Sequence, residues 1–470
     1  MFVFLALVLC LSLNRAASDH YQFRVIKEWR YVNYTWPNEE ELRSATATGE
    51  YNPNRCVMTG VDHYDGYYYI ATPRMFAGVP ITLSRVPDGG NTSPLLEPFP
   101  SWRKNRIGDC DALQNVQNIQ VDNAGNLYVI DSGRSNTIEH HQSNNYCPAK
   151  IVKFDLKTRD GEDMAKEVFR YVFPASVADS RVNYLYELVL DDDFVYISDN
   201  SKHDPGLIVF SEADMKSWKI RHGTFKANMN ATTFNVSGTL QTHALNLAGL
   251  ALDTSKEGER TLYYSPISSY TLFAVNTSEL KNPLTTTLKN VQLIGRRSSQ
   301  SDGMIADDQG VLYFGLLGSS SIAMWDTTQS GFRPTLIAHD PEYVQWPNAF
   351  SFNSDGELVV LCNTLAKFIA GTADLNQPNF RFLAGNVSAH SYVHNSMKFN
   401  QNTEHVYFSS VKPNVNTTQR TIGQPGEAWD VNDLLIRDDL PHPKSGASAA
   451  KFGACLLVVL ACAWMLQVRN

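Results

Sequence analysis

The chain repeats one unit along most of its length, a polar turn followed by a short apolar and aromatic strand. One copy is IADDQGVLYFGLL at 305–317. The other six copies are VDHYDGYYYIAT (61–72), VDNAGNLYVID (121–131), LDDDFVYISD (190–199), LDTSKEGERTLYYSP (252–266), FNSDGELVVLCN (352–363) and FNQNTEHVYFSS (399–410). Successive turns lie roughly 45 to 70 residues apart, which suits four short strands with variable loops. The repeats therefore predict an all-β chain folded as a β-propeller.

Apolar stretches with little charge precede the turns, for example SDGMIAD at 301–307, PNAFSFN at 347–353 and NLAGLALD at 246–253. The innermost strand of a propeller blade needs this composition because it is packed between its neighbours. The aromatic and β-branched strand after each turn suits a half-buried pleated surface. A sandwich built from ordinary hairpins is the alternative, and the number of similar units argues against it.

Residues 1–17 are predicted to be a secretory signal peptide. The run FVFLALVLCLSL at 2–13 is apolar and is soon followed by Ala16 and Ala17, an order typical of export signals. N-x-S/T sequons are glycosylated in exported proteins. They begin at Asn33, Asn91, Asn230, Asn235, Asn276, Asn386 and Asn416. The protein is therefore expected to be a secreted glycoprotein or to be exposed at the cell surface.

The predicted propeller domain, residues 18–425, is followed by a linker at 426–451 and an apolar tail at 452–467, FGACLLVVLACAWMLQ. A helix that spans a bilayer needs about 20 apolar residues, and this run is shorter. Small residues near 445–447 ahead of an apolar tail are typical of a cleavable lipid-anchor signal. A short transmembrane segment and an apolar tail without a membrane role are the alternatives.

The chain outside the signal and the tail contains Cys56, Cys110, Cys147 and Cys362. An even number in an oxidising compartment predicts two disulfides. Cys110 precedes the innermost strand of a blade and Cys147 precedes the third strand of the same blade, so these two are expected to pair. A Cys56–Cys362 bond would join the first full blade to a late one and help to close the ring. A zinc site is the alternative, although no paired C-x-x-C spacing supports it.

The net charge of −8 and the pI near 5.8 provide no basic surface for nucleic acid. An acidic chain would suit a cationic ligand. No phosphate loop, nucleophile elbow or H-E-x-x-H motif is present. We therefore predict no cofactor and no metal, and no catalytic residue is assigned.

A set of collinear motifs between residues 22 and 383 resembles the yellow and major royal jelly protein family of insects. The motifs are ATPRMF with GVPITL (78–83), GDC (108–110), NLYVIDSGR (126–134), CPAKIVKFDLKT (147–158), GLIVFSEADMKSWKI (206–220), LYYSPISSYTLFAVNTSEL (262–280), QSDGMIADDQGVLYFGLL (300–317), VQWPNAFSFNSDGEL (344–358) and NFRFL (379–383). The resemblance implies a secreted six-bladed propeller. Family members act in cuticle pigmentation and eggshell, bind biogenic amines in saliva, form nutritive jelly, or convert dopachrome.

The chain departs from the family pattern at two places. The family usually has a cysteine where this chain has Ala124, and Cys56 is the replacement cysteine, so the family's disulfide pattern is in doubt here. Residues 386–425 extend past the usual end of the resemblance and could form an added strand pair or a seventh blade. The resemblance favours six blades, with 21–32 supplying an outer strand that closes the ring.

The candidate ligand-binding residues are expected where innermost strands begin and second strands end, around one mouth of the channel. They are Asn118, Glu187, Asp302, Asn348, Phe350 and Asn363, while Asp131 and Asp199 in similar places are more typical of caps. The NAF triplet at 348–350 resembles the ligand-contacting stretch of amine-binding members. The resemblance implies an amide that hydrogen-bonds the ligand, a ring that stacks on an indole or catechol, and a nearby carboxylate for the ammonium group.

Histidines offer the only further candidates for chemistry. His63 and His243 could act as general bases for a tautomerisation, whereas the His140–His141 pair is typical of a solvated loop. The expected function is a secreted or surface-tethered propeller that binds a small aromatic amine or catechol-type ligand, with a role in pigmentation, cuticle or eggshell. Its expected partners are that ligand and extracellular matrix or cuticle components. A dopachrome-converting enzyme and a structural matrix protein without a ligand are the alternatives.

Overall fold

The computed structural model describes residues 22–138, 144, 147–254 and 259–395. Six four-stranded antiparallel sheets are arranged in this part of the chain as a six-bladed β-propeller, which confirms the predicted fold class. The seventh copy of the repeat, 399–410, the signal, the linker and the apolar tail lie outside the described residues. None of the described helices is long and apolar enough to cross a membrane.

The first three blades follow one another in the chain, each with its strands in sequence order from the channel outward. Blade 1 consists of β2 (Gly60–Tyr64), β3 (Tyr67–Ala71), β4 (Leu83–Pro87) and β5 (Glu97–Pro98). Blade 2 consists of β6 (Val116–Val121), β7 (Asn126–Asp131), β8 (Lys150–Asp155) and β9 (Lys166–Val172). Blade 3 consists of β10 (Leu185–Asp191), β11 (Phe194–Asp199), β12 (Gly206–Ser211) and β13 (Lys216–Ile220).

The remaining blades include the one that closes the ring. Blade 4 consists of β16 (Leu247–Leu252), β17 (Thr261–Pro266), β18 (Thr271–Asn276) and β19 (Gln292–Arg296). Blade 5 consists of β20 (Met304–Ala306), β21 (Val311–Leu316), β22 (Ser321–Asp326) and β23 (Thr335–His339). Blade 6 consists of β24 (Trp346–Phe352), β25 (Glu357–Asn363), β26 (Phe380–Asn386) and the amino-terminal strand β1 (Phe23–Trp29).

Strand β1 is the outer strand of blade 6 and pairs antiparallel with β26, from Phe23 opposite Gly385 to Trp29 opposite Phe380. The sequence prediction that residues 21–32 close the ring is therefore confirmed. The two ends of the described chain are joined in one sheet, so opening the ring requires the loss of backbone hydrogen bonds as well as of apolar packing.

The position of a strand in its blade explains its composition. All seven residues of β10 are buried because the strand has neighbouring blades on both sides. Strand β9, at the outer edge of blade 2, has no fully buried residue and consists of partly buried and exposed positions. Apolar clusters fill the spaces between blades; Leu127 and Phe154 of blade 2, for example, pack with Tyr69 of blade 1. Each blade therefore depends on its neighbours for burial of its faces.

Additional elements cover the end of the ring at which innermost strands begin. They are the hairpin of β14 (Thr233–Val236) and β15 (Thr239–Thr242) and the helices α1 (Glu39–Thr48) and α3 (Leu365–Ile369), whereas α2 (Thr277–Leu280) follows β18 at the opposite end. Hairpin residues Phe234 and Val236 belong to the same apolar cluster as Trp346 at the start of β24. The Phe234 and Trp346 rings lie 6.2 Å apart. The hairpin thus closes this end of the channel.

The structure confirms one of the two expected disulfides and contradicts the other. Cys110 and Cys147 are bonded in blade 2, whereas Cys56 and Cys362 are buried free thiols. Successive side chains of a strand point to opposite faces of its sheet. Cys362 therefore packs with Leu358 toward blade 5, while Cys56 lies in the cluster on the other face of blade 6. Closure of the ring by a Cys56–Cys362 bond was a wrong prediction.

Candidate functional site

The channel contains a cavity of about 480 Å³ at the end where a turn connects each innermost strand to the second strand of its blade. We call this end the turn mouth and the end closed by the hairpin the capped mouth. The cavity walls include residues from all six innermost strands and from the segment 390–394. The sequence prediction placed the site at the opposite end, where innermost strands begin. The β14–β15 insertion, which has no counterpart in the repeat, lies at that mouth.

Acidic and aromatic side chains line the cavity. The acidic residues are Asp62, Asp65, Asp122 and Glu187, and the rings are those of His63, Tyr64, Phe350, Phe352, His390, Tyr392 and His394. No lysine or arginine belongs to the lining in the described part of the chain. The site therefore has a negative character and rings on which a planar ligand could stack.

Irregular pairing of the innermost strands turns polar side chains toward the channel. The register shifts between Val116 and Ile119 in β6 and between Leu185 and Leu188 in β10. A bulge of this kind redirects side chains locally. Asn118 and Glu187 lie within these two irregular stretches, and the Nδ2 of Asn118 donates a hydrogen bond of 2.8 Å to Oε1 of Glu187. A further irregular stretch, between Pro347 and Ala349 in β24, contains Asn348.

A glycine in blade 1 makes room for this pair. A Cβ atom on Gly60 would lie 2.6 Å from Oδ1 of Asn118, too close for any side chain. Because Gly60 has no side chain, the amide of Asn118 can lie beside Glu187 near the channel axis.

Glu187 is buried, and only one of its carboxylate oxygens is engaged. Oε1 accepts hydrogen bonds from Asn118 and from the backbone N–H of Leu188 at 3.0 Å, while Oε2 has no partner among the described residues. Burial, reinforced by the charge of Asp302, raises the pKa of Glu187 well above its usual range. A bound cation would supply the missing partner and favour the ionised carboxylate.

Asp62 is the second carboxylate of the cavity wall. It accepts hydrogen bonds from Ser351 Oγ at 2.6 Å and from the backbone N–H of Val121 at 2.6 Å, and so links blade 1 to blades 6 and 2. Burial raises its pKa, and these donors oppose the shift. The carboxylate is thus held in place by three blades at the turn mouth.

Asp302 lies outside the cavity lining, in a buried hydrogen-bonded network near the capped mouth. It accepts from Trp346 Nε1 at 2.7 Å, from Asn348 Nδ2 at 3.0 Å and from the hydroxyl of Tyr186. Burial raises the pKa of Asp302 to about 7, although the donors from Trp346 and Tyr186 oppose this. Asn363 continues the network by donating to Oδ1 of Asn348 at 2.8 Å.

The structure therefore divides the predicted site residues into two groups. Asn118, Glu187 and Phe350 line the cavity. Asp302, Asn348 and Asn363 are not in its lining and are completely or almost completely buried. Phe350 is 8% exposed and also belongs to the apolar cluster between blades 5 and 6. Residues two apart in a regular strand share a face, but the register shift between Pro347 and Ala349 interrupts that pattern. Asn348 therefore belongs to the Asp302 network while Phe350 belongs to the cavity wall.

Asp131 and Asp199 act as strand-end caps, as their positions suggested. Asp131 accepts from the backbone N–H groups of Gln114 and Asn115 and forms an ion pair with Lys150 at 2.9 Å. Asp199 forms an ion pair with Lys219 at 2.7 Å. Both pairs are buried and join the blade to its own connecting segments.

Among the histidine candidates, His63 belongs to the cavity wall and its Nε2 lies 3.0 Å from Asp88 Oδ2. His243 is not in the cavity lining. Its backbone carbonyl accepts a hydrogen bond from Ser268 Oγ. His140 and His141 lie outside the described residues.

A wall residue that sequence reasoning missed is Tyr392, in the segment that crosses the turn mouth after blade 6. Its hydroxyl accepts from the backbone N–H of Leu190 at 2.8 Å and contacts Gln120 Oε1 at 3.1 Å. A bridge between Asp307 and Ser391 holds the same segment against blade 5. The sequence suggested an added strand pair or a seventh blade from 386 onward. A single tyrosine in HSYVHN (390–395) does not indicate from the sequence that this segment crosses the turn mouth.

The predicted glycosylation sites lie at the surface to different degrees. Asn91, Asn230, Asn235 and Asn386 are exposed, Asn33 and Asn276 are partly buried, and Asn416 lies outside the described residues. The side chain of Asn276 caps helix α2 and donates to Glu259, so attachment of a glycan there would compete with that hydrogen bond.

Comparison with known proteins supports the resemblance seen in the sequence. The family model for major royal jelly proteins matches residues 114–395. Protein yellow of Drosophila erecta is 27% identical over 395 residues, covering 80% of this chain and 71% of that protein. Major royal jelly protein 8 of Apis mellifera is 28% identical over 389 residues, covering 78% of this chain and 90% of that protein.

Solved structures of similar architecture are more distant. A luciferin-regenerating enzyme aligns with a TM-score of 0.44 and 12% identity, over 79% of this chain and 97% of that chain. A streptogramin B lyase aligns with a TM-score of 0.39 and 13% identity, over 78% of this chain and 98% of that chain.

Proposed function

The chain belongs to the major royal jelly protein family, and from this premise we propose that it binds the ammonium group of a small aromatic amine or catechol-type ligand in the cavity at the turn mouth. The observation that carries the proposal is the buried carboxylate of Glu187, which has one oxygen without a partner in a cavity whose described lining contains no lysine or arginine. A cation is the ligand group that such a site stabilises most.

The cavity also suits the aromatic part of the ligand. Its volume of about 480 Å³ lies within the range of roughly 300–1,000 Å³ common for small-molecule sites. The Phe350 ring in its wall could stack on an indole or catechol ring, an arrangement worth about 0.5–1.5 kcal/mol beyond the buried area. Glu187 would hold the ammonium group while Asn118 keeps the carboxylate in position.

Calorimetric titration with serotonin, dopamine and dopachrome tests the proposal. We expect the two amines to bind, and we expect tryptophol, which keeps the indole ring but lacks the ammonium group, to bind at least tenfold more weakly. Equal affinity for tryptophol would contradict recognition through the carboxylate. No binding of any of these compounds would instead favour a structural component of cuticle or eggshell.

Conversion of dopachrome is the second candidate function, and the position of His63 favours it. The ring lies in the cavity wall beside Asp88, where it could accept a proton from a bound substrate. Turnover of dopachrome that is lost in His63→Gln, with amine binding retained, would assign an enzymatic role. No turnover in the unmodified protein would leave binding alone.

We also propose that the protein is exported and attached to the cell surface through a lipid anchor added after removal of the apolar tail. The support is the order of small residues and tail at 445–467. Phosphatidylinositol-specific phospholipase should release the protein from cells, and the mature chain should lack Trp464. Retention on the membrane together with a peptide that contains Trp464 would instead indicate a short transmembrane segment.

A further inference from the structure

Arg297 follows β19 and lies between blades 4 and 5, distant in the fold from the cavity lining. Its side chain is buried, with the residue 2% exposed. The guanidinium lies 5.9 Å from the centre of the Phe314 ring in blade 5. Its Nη2 donates to Ser265 Oγ and, at 3.3 Å, to the carbonyl of Ser269. The charge is thus enclosed between apolar and neutral groups.

The remaining donors of this guanidinium have no acceptor. Nε and Nη1 of Arg297 are buried and without a hydrogen-bond partner, and no carboxylate forms an ion pair with it in the described part of the chain. Burial lowers the pKa of Arg297 to about 9, so the group still carries its proton at neutral pH. A buried charge without a counter-charge is costly, and proteins normally pair it.

Other blades of the same chain show how this cost is avoided. The buried Lys150 and Lys219 face Asp131 and Asp199, each the last residue of a second strand. In blade 1 the buried guanidinium of Arg74 has no ion pair with a described residue, but backbone carbonyls accept its hydrogen bonds. They belong to Val79, Leu113, Gln114, Pro80 and Asn105. The second strand of blade 4 ends at Ser265 and Pro266, which supply no carboxylate for Arg297.

Additional unpartnered donors lie in the two segments that meet next to Arg297. The segment after Arg297 is joined to the end of β21 by hydrogen bonds from Leu317 N to Gln300 O at 2.9 Å and from Gly318 N to Ser299 Oγ at 2.7 Å. Within these segments the hydroxyl oxygens of Ser298, Ser301 and Ser319 are buried without partners. Hydroxyl and guanidinium groups are the donors that hold an anion in a protein interior.

We propose that Arg297 holds a small inorganic anion of halide size between blades 4 and 5. The anion supplies the negative charge that Asp131 and Asp199 supply in blades 2 and 3, and it accepts from a guanidinium N–H that has no acceptor in the protein. It binds the folded state and not the unfolded chain, so it stabilises the propeller in proportion to its occupancy. This site is independent of the amine cavity.

Thermal unfolding of the full chain in chloride tests the proposal, with sodium isethionate replacing sodium chloride at constant ionic strength. We expect the Tm to rise with the logarithm of the chloride concentration above the Kd of the site. Arg297→Met should abolish this rise. Arg296→Met changes the exposed neighbouring arginine and should leave it intact. If water alone satisfies the guanidinium, the Tm of the unmodified protein should be the same in chloride and in isethionate. That result would overturn the proposal.

A second measurement covers the case in which Arg297→Met does not fold. Arg297→Lys keeps the charge with fewer fixed donors, and it should require at least tenfold more chloride for the same rise in Tm. Crystals soaked in bromide should show an anomalous peak within hydrogen-bond distance of Arg297. An unshifted chloride dependence in the lysine variant, or crystals without a peak at saturating bromide, would contradict the site.

Discussion

The hydroxyl of Tyr186 lies 2.9 Å from both carboxylate oxygens of Asp302, and this contact joins blade 3 to blade 5 across the channel. Trp346 and Asn348 of blade 6 donate to the same carboxylate. Asp302 is fully buried, so its ionised form depends on these neutral donors. The carboxylate therefore links three blades at the capped mouth, and its protonation affects the stability of the ring.

Asp302→Asn should remove part of the pH dependence of stability. Burial raises the pKa of Asp302 from 3.8 to about 7 in the folded protein. The folded state therefore keeps a proton that the unfolded chain loses, and this group contributes stability that is fully present below about pH 4 and is lost as the pH rises through about 7. Urea unfolding at a series of pH values should show a smaller decline in the free energy of unfolding for the asparagine variant.

Asp355→Asn serves as the control for that measurement because Asp355 is exposed in the turn of blade 6. It should decline with pH as the unmodified protein does. Identical pH profiles for Asp302→Asn and the unmodified protein would mean that Asp302 stays ionised in the folded state.

Glu187→Gln should weaken amine binding without unfolding the protein. The variant keeps a side chain of the same shape but loses the charge that faces the ammonium group. A hydrogen bond to a charged partner contributes about 1.5–3 kcal/mol, roughly a tenfold to hundredfold change in affinity. Calorimetry with dopamine measures the change, and Glu40→Gln in the exposed first turn of α1 should leave affinity unaltered.

The affinity for an amine should also rise with pH over the range in which Glu187 loses its proton. Its pKa is raised well above the usual range by burial, and only the ionised carboxylate attracts the ammonium group. The glutamine variant should lack this rise. Full affinity in the glutamine variant would exclude Glu187 as the ammonium partner.

Asn348→Ala should lower stability and leave amine affinity unchanged. The amide lies in the Asp302 network and outside the cavity lining. Its removal leaves Asn363 without one acceptor and Asp302 without one donor, and each buried unsatisfied group costs about 1–3 kcal/mol. Unfolding in urea and calorimetry on the same sample separate the two effects. A large loss of affinity with unaltered stability would place Asn348 in the ligand site after all.

The cysteines should show one disulfide and two protected thiols. Cys56 and Cys362 are buried, and burial raises the pKa of Cys56 to about 12, so alkylation of the native protein should label neither residue. After unfolding without reduction both should react, whereas Cys110 and Cys147 should react only after reduction. Peptide mapping checks this, and a linked peptide that contains Cys56 would contradict the structure.

Local sequence patterns predicted much of the fold because they depend on neighbours in the chain. The turn and strand of 305–317 form β21 with its preceding turn. The closing strand β1 within 21–32 was indicated by the resemblance and not by a local pattern. The Cys110–Cys147 pair was also predictable, since both residues belong to one blade. The absence of a Cys56–Cys362 bond was not predictable, because the face to which each side chain points depends on the register of blade 6 against its neighbours.

The candidate site was only partly predictable for a related reason. Strand repeats indicated which segments approach the channel, and so they identified Asn118, Glu187 and Phe350 as wall residues. They could not indicate which mouth stays accessible, since the β14–β15 hairpin and the Tyr392 segment come from outside the repeat. Bulges in β6 and β10 set the direction of Asn118 and Glu187, and no residue type marks them.

By itself the sequence determined a β-propeller, because hydrophobic alternation and turn residues act over a few neighbouring positions and the repeat multiplies them around a ring. The resemblance favoured six blades over seven, and the structure shows six. Tertiary structure alone decided which polar residues share the cavity and which stabilise the ring. Asn348 and Phe350 are two positions apart in the chain, yet one belongs to a buried network and the other to the cavity wall. Strand register, bulges and the capping hairpin separate them, and these depend on contacts between residues far apart in the chain.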